Sequence, residues 1–151
     1  MTAKSKAIEQ AFRFVTEIAI IEQLAGAALE RAMPADMTRS QFDLLNHLAR
    51  LGGEWTPLRL ASAMQVTKGT MTNTLGHLGE KGFVAIRPDD KDGRSKQVSL
   101  TDLGRAARER TIAAVVPELL ALSDGVSPEL LAELIPLLER VRKFLDQRRD
   151  G

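Results

Sequence analysis

The stretch Thr67-Lys-Gly-Thr-Met-Thr-Asn-Thr-Leu-Gly-His-Leu-Gly-Glu80-Lys-Gly-Phe-Val-Ala-Ile-Arg87-Pro-Asp-Asp-Lys-Asp-Gly-Arg94-Ser-Lys-Gln-Val-Ser-Leu100 decides the fold. At about 100° per residue, Met71, Leu75 and Leu78 share one narrow arc, which predicts a helix from a Thr67 cap to about Glu80. Lys81-Gly82 stops it. Phe83–Arg87 and Lys96–Leu100 then read as two short strands rich in β-formers. The polar run between them, with Asp92-Gly93 at its turn, joins them as a hairpin.

Working outward, Thr56-Pro57 is an N-cap with proline at the first helical position, opening a short helix that carries Leu58, Leu60, Ala61 and Met64. Before it, Thr38-Arg-Ser-Gln41 reads as a capping box. It opens a helix with the apolar face Phe42, Leu45, Leu48 and Ala49, ended by Gly52-Gly53. Met33-Pro-Ala-Asp-Met37 is a loop, and residues 5–33 form one long helix. Its stripe of Ile8, Phe12, Val15, Ile18 and Ile21 is widened by Ala11, Phe14 and Ile20 beyond what one domain needs to bury. On the other side, Thr101 caps a fifth helix, and Ser127-Pro128-Glu129 starts a sixth after the break at residues 123–126. Pro117 and Pro136 lie inside these two patterns, where each is expected to introduce a kink. The expected class is therefore mainly α with a small β-hairpin wing. A winged helix-turn-helix lobe (38–100) is carried between long helices (5–33 and 101–148) in a single domain spanning 1–151.

Composition bounds the chemistry. A chain of 151 residues with 44% hydrophobic and 27% charged residues is ordinary for one globular domain. With no Cys, disulfides, thiolate metal sites and thiol redox sensing are excluded. His47 and His77 lie on different helices, and there is no Gly-rich phosphate loop or nucleophile elbow, so no catalytic residue, metal or cofactor is expected. Glu9 interrupts the N-terminus before an apolar targeting core can form, and no charge-free run approaches a membrane span, so a cytoplasmic protein without a membrane partner is expected. The formal charge is only +1, from 21 Lys+Arg and 20 Asp+Glu. It is unevenly spread: residues 66–110 hold nine cations against six anions, and the rest twelve against fourteen. Any nucleic-acid partner must meet this local excess.

The fourth helix offers such a surface. Opposite its apolar arc stand Gly69, Asn73, Gly76, His77 and Glu80, flanked by Lys68, Thr70 and Thr72. Each glycine costs roughly 1 kcal/mol relative to Ala in a helix interior. A solvated face has no use for that cost, whereas a backbone entering a major groove gains close approach. Asn73 suits adenine, the threonines suit phosphate or a thymine methyl, and Lys68 suits phosphate or guanine. At the hairpin tip, Arg94 is the side chain best attracted to a narrow minor groove, and Asp92 can hold its guanidinium outward in a bidentate pair. Taken alone, the hairpin reads first as a surface turn of mixed charge. Its place directly after this helix favours DNA.

Leu75-x-x-Leu78-x-x-Lys81-Gly82-Phe83-Val84-x-x-Arg87, followed by Asp89-x-Lys-Asp-Gly-Arg94 and Val98-x-Leu100-Thr101-x-x-Gly104, resembles the MarR family of bacterial transcriptional regulators. The resemblance runs from about Thr38 to Arg105, while the flanking helices match in length and placement only. It implies a major-groove role for Thr67, Lys68, Gly69, Thr70, Thr72, Asn73 and His77, and a wing role for Lys91, Asp92 and Arg94. Lys91 departs from the arginine frequent there, which makes it a looser point charge. The resemblance further implies a homodimer held by the terminal helices and a pseudo-palindromic operator with half-sites about one turn apart. Leu119, Leu120, Leu130, Leu131, Leu134, Leu137, Leu138, Val141, Phe144 and Leu145 exceed what a small lobe can cover, in agreement. Finally it implies a repressor relieved by a small aromatic or phenolic effector. Phe12, Phe14, Phe42, His47 and Trp55 are available to line an effector crevice, although aromatics at helical spacing more often fill a core. A winged-helix module for protein contacts is the alternative.

Overall fold

Hydroxyl side chains set where the helices begin. The structure, a computed structural model, describes residues 1–91 and 93–150. Its elements are α1 (Ala3–Ala32), α2 (Arg39–Leu51), α3 (Pro57–Met64), α4 (Lys68–Glu80), β1 (Val84–Pro88), β2 (Lys96–Leu100), α5 (Asp102–Gly125) and α6 (Pro128–Asp150). Thr38, Thr56 and Thr67 each accept a backbone N–H three residues on, and Thr38 with Gln41 completes the predicted capping box. Thr101 and Ser127 do the same for Gly104 and Leu130, at 3.0 and 3.2 Å. The first helix begins two residues earlier than its apolar pattern indicates, because Thr2 caps it by accepting from Ser5 N. Both α5 and α6 run on as helix through Pro117 and Pro136.

The chain divides into two compact units, Met1–Val115 and Val116–Gly151. In the first, Leu44, Leu45 and Leu48 of α2 pack with Leu60 and Ala61 of α3 and with Met71, Leu75 and Leu78 of α4. Phe83, Val84, Val98 and Ala107 close the core. The buried face of α2 is turned from the predicted one. Leu44, Gln41 and His47 are buried, while Phe42 and Ala49 are half-buried. Gln41 is kept inside by the Lys81 ammonium, which donates to its Oε1 at 2.9 Å and also to the Asp36 carbonyl. Burying nearly complete Leu side chains, at about 1.5–3 kcal/mol each, is what holds the lobe together.

β1 and β2 pair antiparallel, with Val84 opposite Leu100 and Ile86 opposite Val98. Trp55, in the loop before α3, adds a third rung: its N–H donates to Val98 O at 2.9 Å, and Val98 N–H donates back at 2.7 Å. The hairpin is thereby fastened to the lobe through backbone hydrogen bonds. In α1, by contrast, Gly26 is the only buried residue among those described. In the second unit no described residue of α6 is buried, and Ile135, Leu137, Phe144 and Leu145 are each more than half exposed.

One junction admits no side chain. At Gly104, a Cβ would fall on the Phe83 carbonyl oxygen and within 2.8 Å of Leu100 Cδ1. Gly104→Ala is expected to lower stability by about 3 kcal/mol, because the opposing group is backbone and cannot yield. Denaturant unfolding of the two proteins side by side checks this, and a midpoint unchanged from the parent would refute it.

Candidate nucleic-acid interface

In α4 the residues divide by face as their types require. Met71, Thr74, Leu75 and Leu78 are buried, whereas Lys68, Gly69, Thr70, Thr72, Asn73, Gly76 and His77 are exposed. Thr74 joins the apolar side because its hydroxyl donates to the Thr70 carbonyl at 3.1 Å, which leaves its methyl for the core. Thr72 donates likewise to Lys68 O at 2.9 Å, and Thr67 to Thr70 Oγ1 at 2.9 Å. Those hydroxyl hydrogens are spent on the helix. What Thr67 and Thr72 offer outward is a methyl group and an acceptor oxygen. At Gly69 and Gly76, a Cβ would meet nothing within 4 Å, so no contact within the chain requires either glycine.

The hairpin beside this helix is stiffened by polar contacts. Arg87 forms a bidentate pair with Glu54, at 2.8 and 2.5 Å, and donates to Pro88 O at 3.1 Å. Asp89 accepts from Lys91 N–H at 3.0 Å and from the Gln97 amide at 3.1 Å. The Lys91 N–H foremost, then the Gln97 amide, holds its carboxyl below the usual carboxylate range. Lys91, Gly93 and Arg94 are exposed at the far end. Asp92, the expected partner of Arg94, lies outside the described residues.

Helix and hairpin share a groove of about 570 Å³. Lys68, Thr72, Leu75 and Gly76 line it from α4, Ile86 and residues 94–96 from the hairpin, and residues 56–58 from the start of α3. The structure thus brings Lys68, Thr72 and Arg94 together around one concavity and adds Lys96, Pro57 and Leu58, which sequence reasoning did not single out. A hint was present in Leu58, an apolar residue on the side of α3 that points away from Leu60 and Ala61. It is 67% exposed.

Seven of the nine cations of residues 66–110 divide into two groups in the fold. Lys81 is engaged by Asp36 and Gln41, Arg87 by Glu54, and Arg108 by Asn46 Oδ1 at 3.0 Å and Glu109 at 2.6 Å. Three cations therefore serve the lobe itself. Lys68, Lys91, Arg94 and Lys96 stand on the exposed helix and hairpin surface.

The match to known proteins falls on this same stretch. A family model described as the MarR family matches residues 35–95. An uncharacterized HTH-type transcriptional regulator of Bacillus cereus is 30% identical over 131 residues, which cover 83% of this chain and 82% of that protein. The chain belongs to the MarR family. Among solved structures, apo MarR from E. coli is similar at a TM-score of 0.72 and 29% identity, over 83% of this chain and 93% of that one. A mutant E. coli MarR complexed with operator DNA is similar at a TM-score of 0.69 and 28% identity, over 87% and 95%.

For a MarR-family chain the aromatic groups also matter. His47 is buried and meets the Trp55 ring edge-on at 4.7 Å, and the Arg59 guanidinium lies over the Trp55 ring at 4.4 Å. The Trp55 Nε1 donates to Gly52 O at 2.9 Å. Phe42 packs against the core, while Phe12 is 72% exposed on α1. The groove between α4 and the hairpin is lined by none of these four. Asp43 stands four residues before His47, a spacing that can serve a metal, yet its Oδ1 accepts from Arg39 at 3.1 Å. No group of three metal-ligating side chains occurs among the described residues, and no helix is long and apolar enough to cross a membrane.

The open space around Gly76 gives a direct test. Gly76→Ala is expected to stabilise the unbound protein by up to about 1 kcal/mol, since the new methyl meets nothing and helix propensity improves. A thermal midpoint below the parent's would contradict the open face.

Proposed function

We propose that this chain is a sequence-specific, dimeric DNA-binding transcriptional repressor that acts by occupying promoter DNA. The observation that carries the reading is the joint placement of Lys68, Thr72, Gly76, Arg94 and Lys96 around one groove, next to the exposed Asn73. In this reading α4 lies in the major groove. Gly69 and Gly76 let its backbone approach, Asn73 reads an adenine edge, and Thr67, Thr70, Thr72 and His77 line the contact. Lys91 and Arg94 follow the neighbouring minor groove. The similarity to an operator-bound MarR supports this use of the surface.

The dimer reading rests on exposed apolar area. Ile8, Phe12, Val15, Ile21 and Leu24 of α1 are all more than half exposed, as are Leu120, Ile135, Leu137, Phe144 and Leu145 of the second unit. Scattered apolar residues on a surface need no explanation, but continuous stripes of this size call for a covering partner. A second copy of the chain covers both terminal helices at once and presents two α4 helices to successive major grooves. The groove between helix and hairpin suits an effector of the small aromatic or phenolic anion class. Pro57, Leu58, Leu75 and Ile86 supply apolar walls, and Lys68, Arg94 and Lys96 supply charge. An occupant there stands where DNA must approach, which relieves repression.

Gel-shift titrations at two salt concentrations test the DNA reading. Arg94→Ala is expected to weaken binding to every duplex and to reduce the salt slope by about 1. Asn73→Ala is expected to relax sequence preference, costing about 1–3 kcal/mol on the cognate site alone. Unchanged binding by Arg94→Ala would remove the wing from the interface. Failure to bind any DNA would favour a protein-contact module instead. Sedimentation equilibrium at micromolar concentration should show a dimer, and a monomer there would refute the assembly.

A further inference from the structure

A polar clasp crosses from α1 to α2. The Arg39 guanidinium donates through Nη2 to Glu22 Oε1 on α1 at 2.9 Å and through Nε to Asp43 Oδ1 on its own helix at 3.1 Å. Arg39 is the first residue of α2, inside the Thr38–Gln41 capping box, so its backbone direction is fixed before the side chain reaches out. The space for this contact is kept by Gly26. A Cβ there would come within 2.7 Å of Glu22 Oε1 and 2.8 Å of Arg39 Nη1, and Gly26 is the one buried residue described in α1. A glycine in mid-helix costs helix propensity, and here it leaves room for the ion pair.

The other end of the clasp shares a small cavity with the helix assigned above to the major groove. Asp43 lines a small cavity of about 110 Å³ together with Ser40, Leu44 and, from α4, Thr70, Met71 and Thr74. One guanidinium therefore joins a carboxylate on α1 to a carboxylate on the wall where α4 stands. Its planar fork fits this task, since it can hold two acceptors at a fixed angle where an ammonium would swivel.

We propose that Arg39 is a positioning residue that fixes the DNA-binding lobe on α1 and thereby sets the half-site spacing the protein accepts. The inference rests on the dimeric DNA-binding reading above. The pair is too exposed to matter much for stability: the side chains of Arg39 and Glu22 are 28% and 64% accessible. Its consequence is orientation. With the clasp closed, α1 and α2 keep one relative setting. With it open, each lobe turns on residues 33–35, before Asp36 and Met37 tie the chain to the lobe, and a range of spacings becomes acceptable.

The experiment selects bound duplexes from a pool in which two half-sites are separated by varied numbers of base pairs. The native protein is expected to prefer one spacing. Arg39→Met keeps the apolar stem and removes the donors, and Glu22→Gln removes the charge on α1. Each should lower the discrimination against a one-base-pair shift by about three- to fivefold, the size of effect such a pair supports. Affinity for an isolated half-site and the thermal midpoint should stay at native values. Gly26→Ala reaches the same phenotype by another route, since its methyl pushes the two charged groups apart while raising the thermal midpoint. Arg39→Lys should fall between native and Arg39→Met. Native spacing discrimination in both Arg39→Met and Glu22→Gln overturns the proposal. A native protein that binds duplexes with no spacing preference, or sediments as a monomer, overturns the dimeric reading and the role of the clasp with it.

Discussion

The geometry of the lobe depends on one crowded backbone junction. Gly82, with φ of +74°, ends α4 and turns the chain into β1. The Thr101 hydroxyl donates to Gly82 O at 2.6 Å and accepts from Gly104 N–H at 3.0 Å, while Thr101 N–H donates to Phe83 O at 3.2 Å. Gly104 sits against that same Phe83 carbonyl with no room for a methyl. Four elements thus meet within a few residues: the end of α4, the start of β1, the end of β2 and the start of α5. Left-handed backbone at Gly82 and zero side-chain volume at Gly104 are the two conditions for this meeting. Where the hairpin stands beside α4, and so whether Arg94 and Lys68 share a groove, follows from it.

Charge in this protein has meaning only after folding. A formal charge of +1 describes no surface. Even the local excess in residues 66–110 mixes two kinds of cation. Lys81, Arg87 and Arg108 neutralise or satisfy groups of the lobe itself, at Gln41, Glu54 and Asn46. Lys68, Lys91, Arg94 and Lys96 remain on the outer surface of helix and hairpin. A cation that already donates to a fixed partner of the lobe, as Lys81, Arg87 and Arg108 do, has less to gain from phosphate. The sequence contains no cysteine, so thiol oxidation is not a route by which this protein is regulated.

Apolar residues sort by a similar logic. In the lobe Leu44, Leu45 and Leu60 retain no accessible surface, while α1 and α6 leave large apolar residues in the open. The same hydrophobic effect that closes the lobe is therefore unsatisfied along the terminal helices. A polar contact joins α1 to α2, through Glu22, Arg39 and the space at Gly26. An ion pair of this kind contributes little to stability yet restricts direction, which is what a helix carrying a binding lobe requires.

Much of this was legible in the sequence, because it depends on neighbours in the chain. Helix starts follow from hydroxyl caps three residues away, the α4 core arc from 3.6-residue spacing, and the strands and their turn from residue type; β1 is displaced by only one residue, to Val84–Pro88. The division of α4 into a buried and an exposed face was equally readable, apart from Thr74, whose buried methyl depends on a hydroxyl bond within the helix. Only tertiary structure decided the rest. Trp55 reads as an aromatic available to a ligand, and becomes a rung against Val98 under the Arg59 guanidinium. Gly104 reads as part of a motif, and becomes the point where α5 meets the Phe83 carbonyl. Lys81, Arg87 and Arg108 read as a basic patch, and become internal partners of residues 41, 54 and 46. The reason is range. Caps, periodicity and turns are set by bonds between residues three or four apart, whereas the partner of a long charged or aromatic side chain is chosen by whatever the completed fold brings within about 3–4 Å of it.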